Sequence, residues 1–201
     1  MTDAPAPAED RAWVKIETPL SSAELREFCR DIERLYRINP RLEFRAWRAS
    51  GPGRFHAEWR NLSNDREESH DLEVVRESDW AFRVDYAGGI KALTRFAVEQ
   101  NAAGARLTIT DDYSRLPEAE RAQRLDEVDR SLVPWGQGLH RYLRRQRRWG
   151  WFPPWRWYMR RLWLPMRPMA RRIVWWLWVI TLVEIALFLF VMLVYIIERN
   201  A

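Results

Sequence analysis

"SSAELREFCRDIERLYRINP", residues 21–40, is the stretch on which the fold turns. Ser21 followed by Glu24 has the spacing of a capping box, in which each side chain reaches the other's backbone N–H at a helix start. Leu25, Phe28, Cys29, Ile32, Leu35 and Tyr36 then recur at three- and four-residue intervals, the apolar stripe of a helical pair, and Asn39-Pro40 ends the run. Before it, "RAWVKIET" (11–18) alternates Trp13, Lys15 and Glu17 with Val14, Ile16 and Thr18, as a half-buried strand does.

After it the period is two as far as about residue 112. "RLEFRAWRA" sets Leu42, Phe44 and Ala46 on one face; beyond Gly51-Pro52-Gly53, "RFHAEWRNLS" sets Phe55, Ala57 and Trp59 against His56, Glu58 and Arg60. "HDLEVVRES" is a weaker strand. "DWAFRVDYAGG" sets Trp80, Phe82, Val84 and Tyr86 against Ala81, Arg83 and Asp85, and "KALTRFAVEQ" and "ARLTITDDY" flank the turn "NAAG". Short sequential strands with tight connections make an antiparallel meander. Helical spacing then returns: Leu125, Val128, Leu132, Trp135, Leu139, Tyr142 and Leu143 define a long helix. Pro134 is expected to kink it, and Gly136 and Gly138 to loosen it or admit close approach. The class is α+β, with one sheet face of large apolar residues turned to that helix.

The order of elements, with "SSAELREFCRDIERLYRINP" after the first strand and "LDEVDRSLVPWGQGLHRYL" at the end, resembles the START-like helix-grip (SRPBCC, polyketide cyclase-like) superfamily over roughly residues 11–148. The resemblance implies an antiparallel sheet curled around the C-terminal helix, with a cavity for a hydrophobic ligand between them. The superfamily includes sterol, phospholipid and quinone carriers, polyketide cyclases and plant hormone receptors, and the resemblance does not choose among them. Trp59, Phe82, Tyr86, Phe96 and Trp135 are the cavity candidates, large rings on the inward faces, three of them with polar tips. Plain core packing explains the same residues.

No catalytic signature stands out. His56, His70 and His140 are far apart, and Cys29 lies on a packed face, so no metal-ligand cluster and no cofactor is expected. There is no G-x-S-x-G, P-loop or dinucleotide fingerprint. Asp111 and Asp112 are neighbours on a strand and point to opposite faces, a poor acid/base pair. Arg83, Arg95 and Arg106 are expected outside, paired with nearby acids.

The net charge of +5 conceals a division: residues 1–133 hold 21 basic and 26 acidic side chains, residues 134–201 hold 12 and 2. Five segments follow: an acidic, Pro/Ala-rich leader (1–10) read as disordered, the START-like domain (11–148), an Arg/Trp-rich linker (149–172), an apolar span (173–197) and a short tail (198–201). The span has 25 residues and one ionisable group, Glu184, and as a helix is about 37 Å long, enough to cross a bilayer. Arginine is in excess before the span, which places the soluble domain in the cytoplasm. The protein is therefore read as a tail-anchored, single-pass protein of the cell membrane. On a helical wheel Trp155, Tyr158, Met159, Leu162 and Trp163 oppose Arg156, Arg160 and Arg161; with Arg171 and Arg172 these suit a headgroup layer. Interleaved Arg and Trp also suit single-stranded nucleic acid, but beside a span the membrane accounts for them without a second partner. Glu184, with Thr181 one turn earlier, is either a tolerated protonated acid or a contact for self-association or for a membrane-protein partner.

The expected function is a domain held at the cytoplasmic face of the membrane, binding or transferring a lipid, isoprenoid or quinone-like ligand. An enzyme of the cyclase or dehydratase kind, which needs a buried Asp, Arg or His facing the cavity, and a non-catalytic adaptor of a membrane complex are the alternatives.

Overall fold

The computed structural model describes residues 11–102, 104–115, 117, 119, 120 and 130–200. The expected leader, with Leu125 and Val128 of the last helix, lies outside them. The chain forms two compact units, 1–165 and 166–201.

In the first unit, β1 (Arg11–Thr18) leads into α1 (Ser22–Cys29) and α2 (Ile32–Arg37), then β2 (Leu42–Gly51), β3 (Arg54–Asn61), β4 (Arg66–Arg76), β5 (Ala81–Tyr86), β6 (Leu93–Asn101), β7 (Gly104–Asp112) and α3 (Leu132–Trp149). The seven strands make one antiparallel sheet in the order β1-β7-β6-β5-β4-β3-β2, so that β1 and β2 are its two edges. The capping box forms: the Glu24 N–H donates to Ser21 Oγ at 3.2 Å and the Ser21 N–H to Glu24 Oε2 at 2.8 Å. Asp31 starts α2 by accepting from the Arg34 N–H, which is why one apolar stripe becomes two short helices.

The core lies between the sheet and the helices, and its largest fully buried side chains are Trp135, Tyr36 and Phe96. The Trp135 indole donates to the Leu35 carbonyl at 2.8 Å and Asn39 to the Ser131 hydroxyl at 2.8 Å, fastening the start of α3 to the end of α2. A Cβ on Gly136 would meet a Val14 methyl at 2.8 Å and one on Gly138 the Ile38 carbonyl at 3.1 Å. Both glycines therefore serve close approach. Pro134 does not kink a helix interior: it is the third residue of α3, in the first turn, where its missing N–H has no helical acceptor to lose.

Two inward faces differ from the simple alternation. The β2–β3 register shifts between Phe44 and Ala46, so one extra residue is accommodated at Arg45. The shift turns Trp47, rather than Ala46, toward the core, where it meets Tyr36, Phe44 and Phe55. Trp80 precedes β5 and is 44% exposed. It is turned out to the Arg26 guanidinium, which lies 3.9 Å from its ring centre.

The linker folds as α4 (Pro153–Tyr158) and a π-helical turn, Met159–Trp163. Its apolar side is spent on the domain: Met159 and Leu164 are buried, and Trp155, Tyr158 and Trp163 pack on the core. The rings it leaves outside are Trp149, Trp151, Phe152 and Trp157, together with Arg156, Arg160 and Arg161.

The second unit is α5 (Pro168–Asn200), 33 residues carrying Arg171, Arg172, Thr181 and Glu184. Its mean hydropathy reaches 2.8, none of its most apolar stretch is buried, and it is long and apolar enough to cross a membrane.

Candidate functional site

Three clusters are assembled by this frame. The first is polar and buried. β6 and β7 pair so that Thr94 faces Asp111. The Thr94 hydroxyl donates to Asp111 Oδ1 at 2.6 Å, and the Lys91 ammonium lies 2.9 Å from Asp111 Oδ2. A hydroxyl has one proton, and that of Thr94 is committed to Asp111. Thr94 Oγ1 must therefore accept from Tyr86 (3.1 Å), and Tyr86 Oη in turn from Tyr36 (2.7 Å). The chain has one direction, Tyr36 to Tyr86 to Thr94 to Asp111. Burial pushes the Tyr86 phenol up to about 12, and burial, followed by the charge of and hydrogen bond to Tyr86, holds Tyr36 well above its ordinary value. Asp112 points the other way, accepting from Arg11 at 2.8 Å.

Beside this chain is a cavity of about 150 Å3, lined by Tyr36, Trp59, His70, Tyr86, Lys91 and Trp135 among others. His70 Nε2 lies 3.0 Å from Glu68 Oε2, which also accepts from the Trp59 indole at 3.1 Å. His70 Nδ1 is buried and makes no hydrogen bond.

The third cluster is an open groove of about 640 Å3 at the opposite end of the strands, between α1–α2 and the β2–β3 and β4–β5 turns. Its floor is Cys29, Ile32, Phe55, Val74, Phe82 and Val98. Arg26, Arg30 and Arg76 stand at its rim; Arg30 pairs with Glu27 at 2.5 Å, Arg26 stacks on Trp80, and Arg76 has no ion pair among the described residues. Burial raises the Cys29 thiol to about 12, so it is an apolar wall and no nucleophile at neutral pH. Ala23 and Glu27 of α1, with Arg30 just after it, border this groove on one side. On the other they border a second cleft, whose far wall is Arg147, Trp151 and Arg160. The groove and the arginine- and tryptophan-rich surface thus share one helix.

No family model matches the sequence, and no curated protein is detectably similar to it in sequence. The structure is similar to that of a protein from Nitrosomonas europaea, with a TM-score of 0.51 at 9% identity over 71% of this chain and 99% of that one. It is also similar to a START superfamily protein from Mycobacterium smegmatis, with a TM-score of 0.49 at 11% identity over 67% of this chain and 96% of that one. The first unit has the helix-grip fold, a seven-stranded antiparallel sheet packed against a long C-terminal helix.

Within this domain the five rings singled out from the sequence do not form one site. Trp59, Tyr86 and Trp135 line the small polar cavity, Phe82 lines the groove, and Phe96 stacks on Phe82 at 4.8 Å between them. Arg83, Arg95 and Arg106 pair with Asp85, Glu77 and Glu17. His56 is a surface residue between Asp71 and Glu58, and His140 bonds the Glu17 carbonyl. The described residues bring no three potential metal ligands together. Periodicity did not point to Asp111, Lys91, Thr94, Glu68 or His70. The β6–β7 register carries the signal for one pair: counting back from the Asn101–Gly104 turn puts Thr94 opposite Asp111.

Proposed function

We propose that this chain is a membrane-tethered START-like domain that binds a hydrophobic ligand of the lipid, isoprenoid or quinone class and exchanges it with the bilayer at its cytoplasmic face. The observation that carries this reading is the apolar-floored groove, whose bordering helix α1 also borders the exposed arginine and tryptophan surface. That surface carries Trp149, Trp151, Phe152 and Trp157 among Arg144, Arg145, Arg147, Arg148, Arg156, Arg160 and Arg161. Rings at the acyl boundary and guanidiniums on phosphates would hold it in the headgroup layer. α5 follows in sequence as the anchor, and the excess of arginine before it sets the domain on the cytoplasmic side. A ligand leaving the bilayer for a groove at that level exposes little apolar area on the way, at about 25 cal/mol for each Å2.

Val74→Trp, which fills part of the groove from β4, tests this. Full-length protein and variant are purified in the same detergent, and the bound lipids are quantified by mass spectrometry. The wild type is expected to retain a stoichiometric ligand that the variant loses. Equal lipid content, with the fold intact, would overturn the assignment of the groove.

A further inference from the structure

We propose that the cleft between the α1–α2 pair and the linker is a binding site for one phosphate group, centred on Arg34 and completed by Arg147 and Arg160. Helices and linker wall this cleft, and no strand residue lines it. Its central arginine is buried and stands apart from the exposed arginine and tryptophan surface. Only the source of the phosphate, an acidic phospholipid headgroup, rests on the tethering proposed above.

The first observation is an unmatched charge. Arg34 is 8% exposed, and a guanidinium keeps its proton at any ordinary pH. Its neighbours are neutral. Nη2 donates to the Gln146 side-chain oxygen at 2.5 Å, and the guanidinium lies 4.3 Å from the Phe28 ring centre and 5.4 Å from that of Tyr142. Nε is buried with no acceptor. Asp31, the acid on the same turn, accepts the Arg34 backbone N–H at 3.0 Å as the cap of α2. A charge held nine-tenths out of water without a counter-ion is costly, and the cleft is where a counter-ion reaches it.

The second is the balance of charge around Arg34. Arg30, Arg147 and Arg160 join it in the cleft, against Glu24, Glu27 and Asp31. Glu27 is taken by Arg30 at 2.5 Å. Glu24 is 3.4 Å from Arg147, and its other oxygen is held by the Ser21 cap. Arg160, like Arg34, has no ion pair among the described residues. The two share a neighbour: burial raises the Tyr142 phenol, and the charges of Arg34 and Arg160 oppose that shift.

The third is direction. Arg34 comes from α2, Arg147 from the last turn of α3 and Arg160 from the π-helical turn. Guanidiniums arriving from three elements suit a tetrahedral phosphate, whose oxygens accept on several sides, better than a planar carboxylate. At about 860 Å3 the cleft has room for a phosphate and the glycerol that carries it. Trp151, 74% exposed, borders it, and the linker that supplies Trp151 and Arg160 leads in sequence to α5. A lipid headgroup is therefore the nearest source.

The test uses the full-length protein in nanodiscs of phosphatidylcholine, titrated with inorganic phosphate by calorimetry. One phosphate per chain is expected to bind, and Arg34→Gln should abolish binding. Arg160→Gln changes an exposed side chain and spares the interior; it should weaken affinity about tenfold, the worth of one charge-assisted hydrogen bond. Arg48→Gln removes the same charge from exposed β2 and should leave affinity unchanged. In nanodiscs that also hold phosphatidic acid, the headgroup should fill the site and phosphate should no longer bind. A carboxylate lipid at the same surface charge should leave phosphate binding in place. Equal phosphate binding in all three nanodiscs, or equal loss with the carboxylate lipid, would overturn the lipid source and leave a soluble phosphate ester as the ligand. No saturable binding, or an affinity lowered as much by Arg48→Gln as by Arg160→Gln, would reduce the cleft to diffuse attraction and overturn the site. Neither readout involves the groove, so failure of the groove reading leaves this result standing.

Discussion

Asp111→Ala should be the most damaging single substitution in the buried polar chain. Asp111 is fully buried and the Lys91 side chain is 13% exposed, 2.9 Å away. Removing one partner of such a pair leaves an uncompensated ammonium inside the protein, a cost of about 3–5 kcal/mol. The Thr94 hydroxyl loses its acceptor as well, and with it the reason for Tyr86 and Tyr36 to point as they do. For a unit of this size the melting midpoint should fall on the order of 10 °C. Replacing both partners by apolar residues, Asp111→Leu with Lys91→Met, should recover most of the loss, because two desolvated charges disappear together. Thermal melting of the full-length protein in detergent gives the midpoint, and hydrogen exchange of peptides from β5 to β7 shows whether the sheet itself has loosened. A loss below about 1 kcal/mol for Asp111→Ala, against the 3–5 expected for a broken buried pair, would refute the reasoning. So would a double variant as unstable as the single one.

Two further outcomes follow from the surface and the span. The Asp71 hydrogen bond first and the Glu58 one second favour the protonated form of His56, so its pKa lies above the ordinary 6.5. Because the folded value is the higher one, its contribution to stability is complete below about 6.5 and is lost as pH rises through the raised value. An NMR titration should give a midpoint above 6.5, the ordinary value, returning toward it in Asp71→Asn. Glu184→Leu removes a carboxyl group whose charged form costs about 3 kcal/mol at mid-bilayer. The variant should stay in the membrane fraction after carbonate extraction; loss of an oligomer or a co-purifying partner would assign Glu184 to that contact, and an unchanged assembly would make it a tolerated acid.

Much of the architecture was legible because each element carries its own local signal. Ser21 and Glu24 announced α1, the three-and-four spacing gave the helical pair, and alternation gave six of the strands their order. The misplacements were local too. A bulge at Arg45 cannot be seen in a period of two, so simple alternation puts Ala46 where Trp47 belongs. Trp80 continues the alternation of β5 by one residue beyond where pairing ends. The linker sequence alone has the pattern of a short amphipathic helix suited to a headgroup layer, whereas in the fold Trp155 and Trp163 have the domain core to pack on. The polar interior was harder to see, since Lys91, Thr94 and Asp111 meet only through the β6–β7 register, and Glu68 and His70 reach the cavity only because β4 pairs with β3. Each looks like an ordinary strand-end residue until the partner strand is laid beside it.

The most direct test of the central claim is a map of where a membrane lipid touches the domain. The full-length protein in nanodiscs containing a lipid with a photoreactive acyl chain is irradiated and its crosslinked peptides are sequenced. The account predicts crosslinks on Phe55, Val74, Phe82 and Val98 of the groove in addition to those on α5, with the groove set abolished by Val74→Trp. Crosslinks confined to α5 and the linker would contradict it, leaving a tethered domain that takes no lipid from the bilayer.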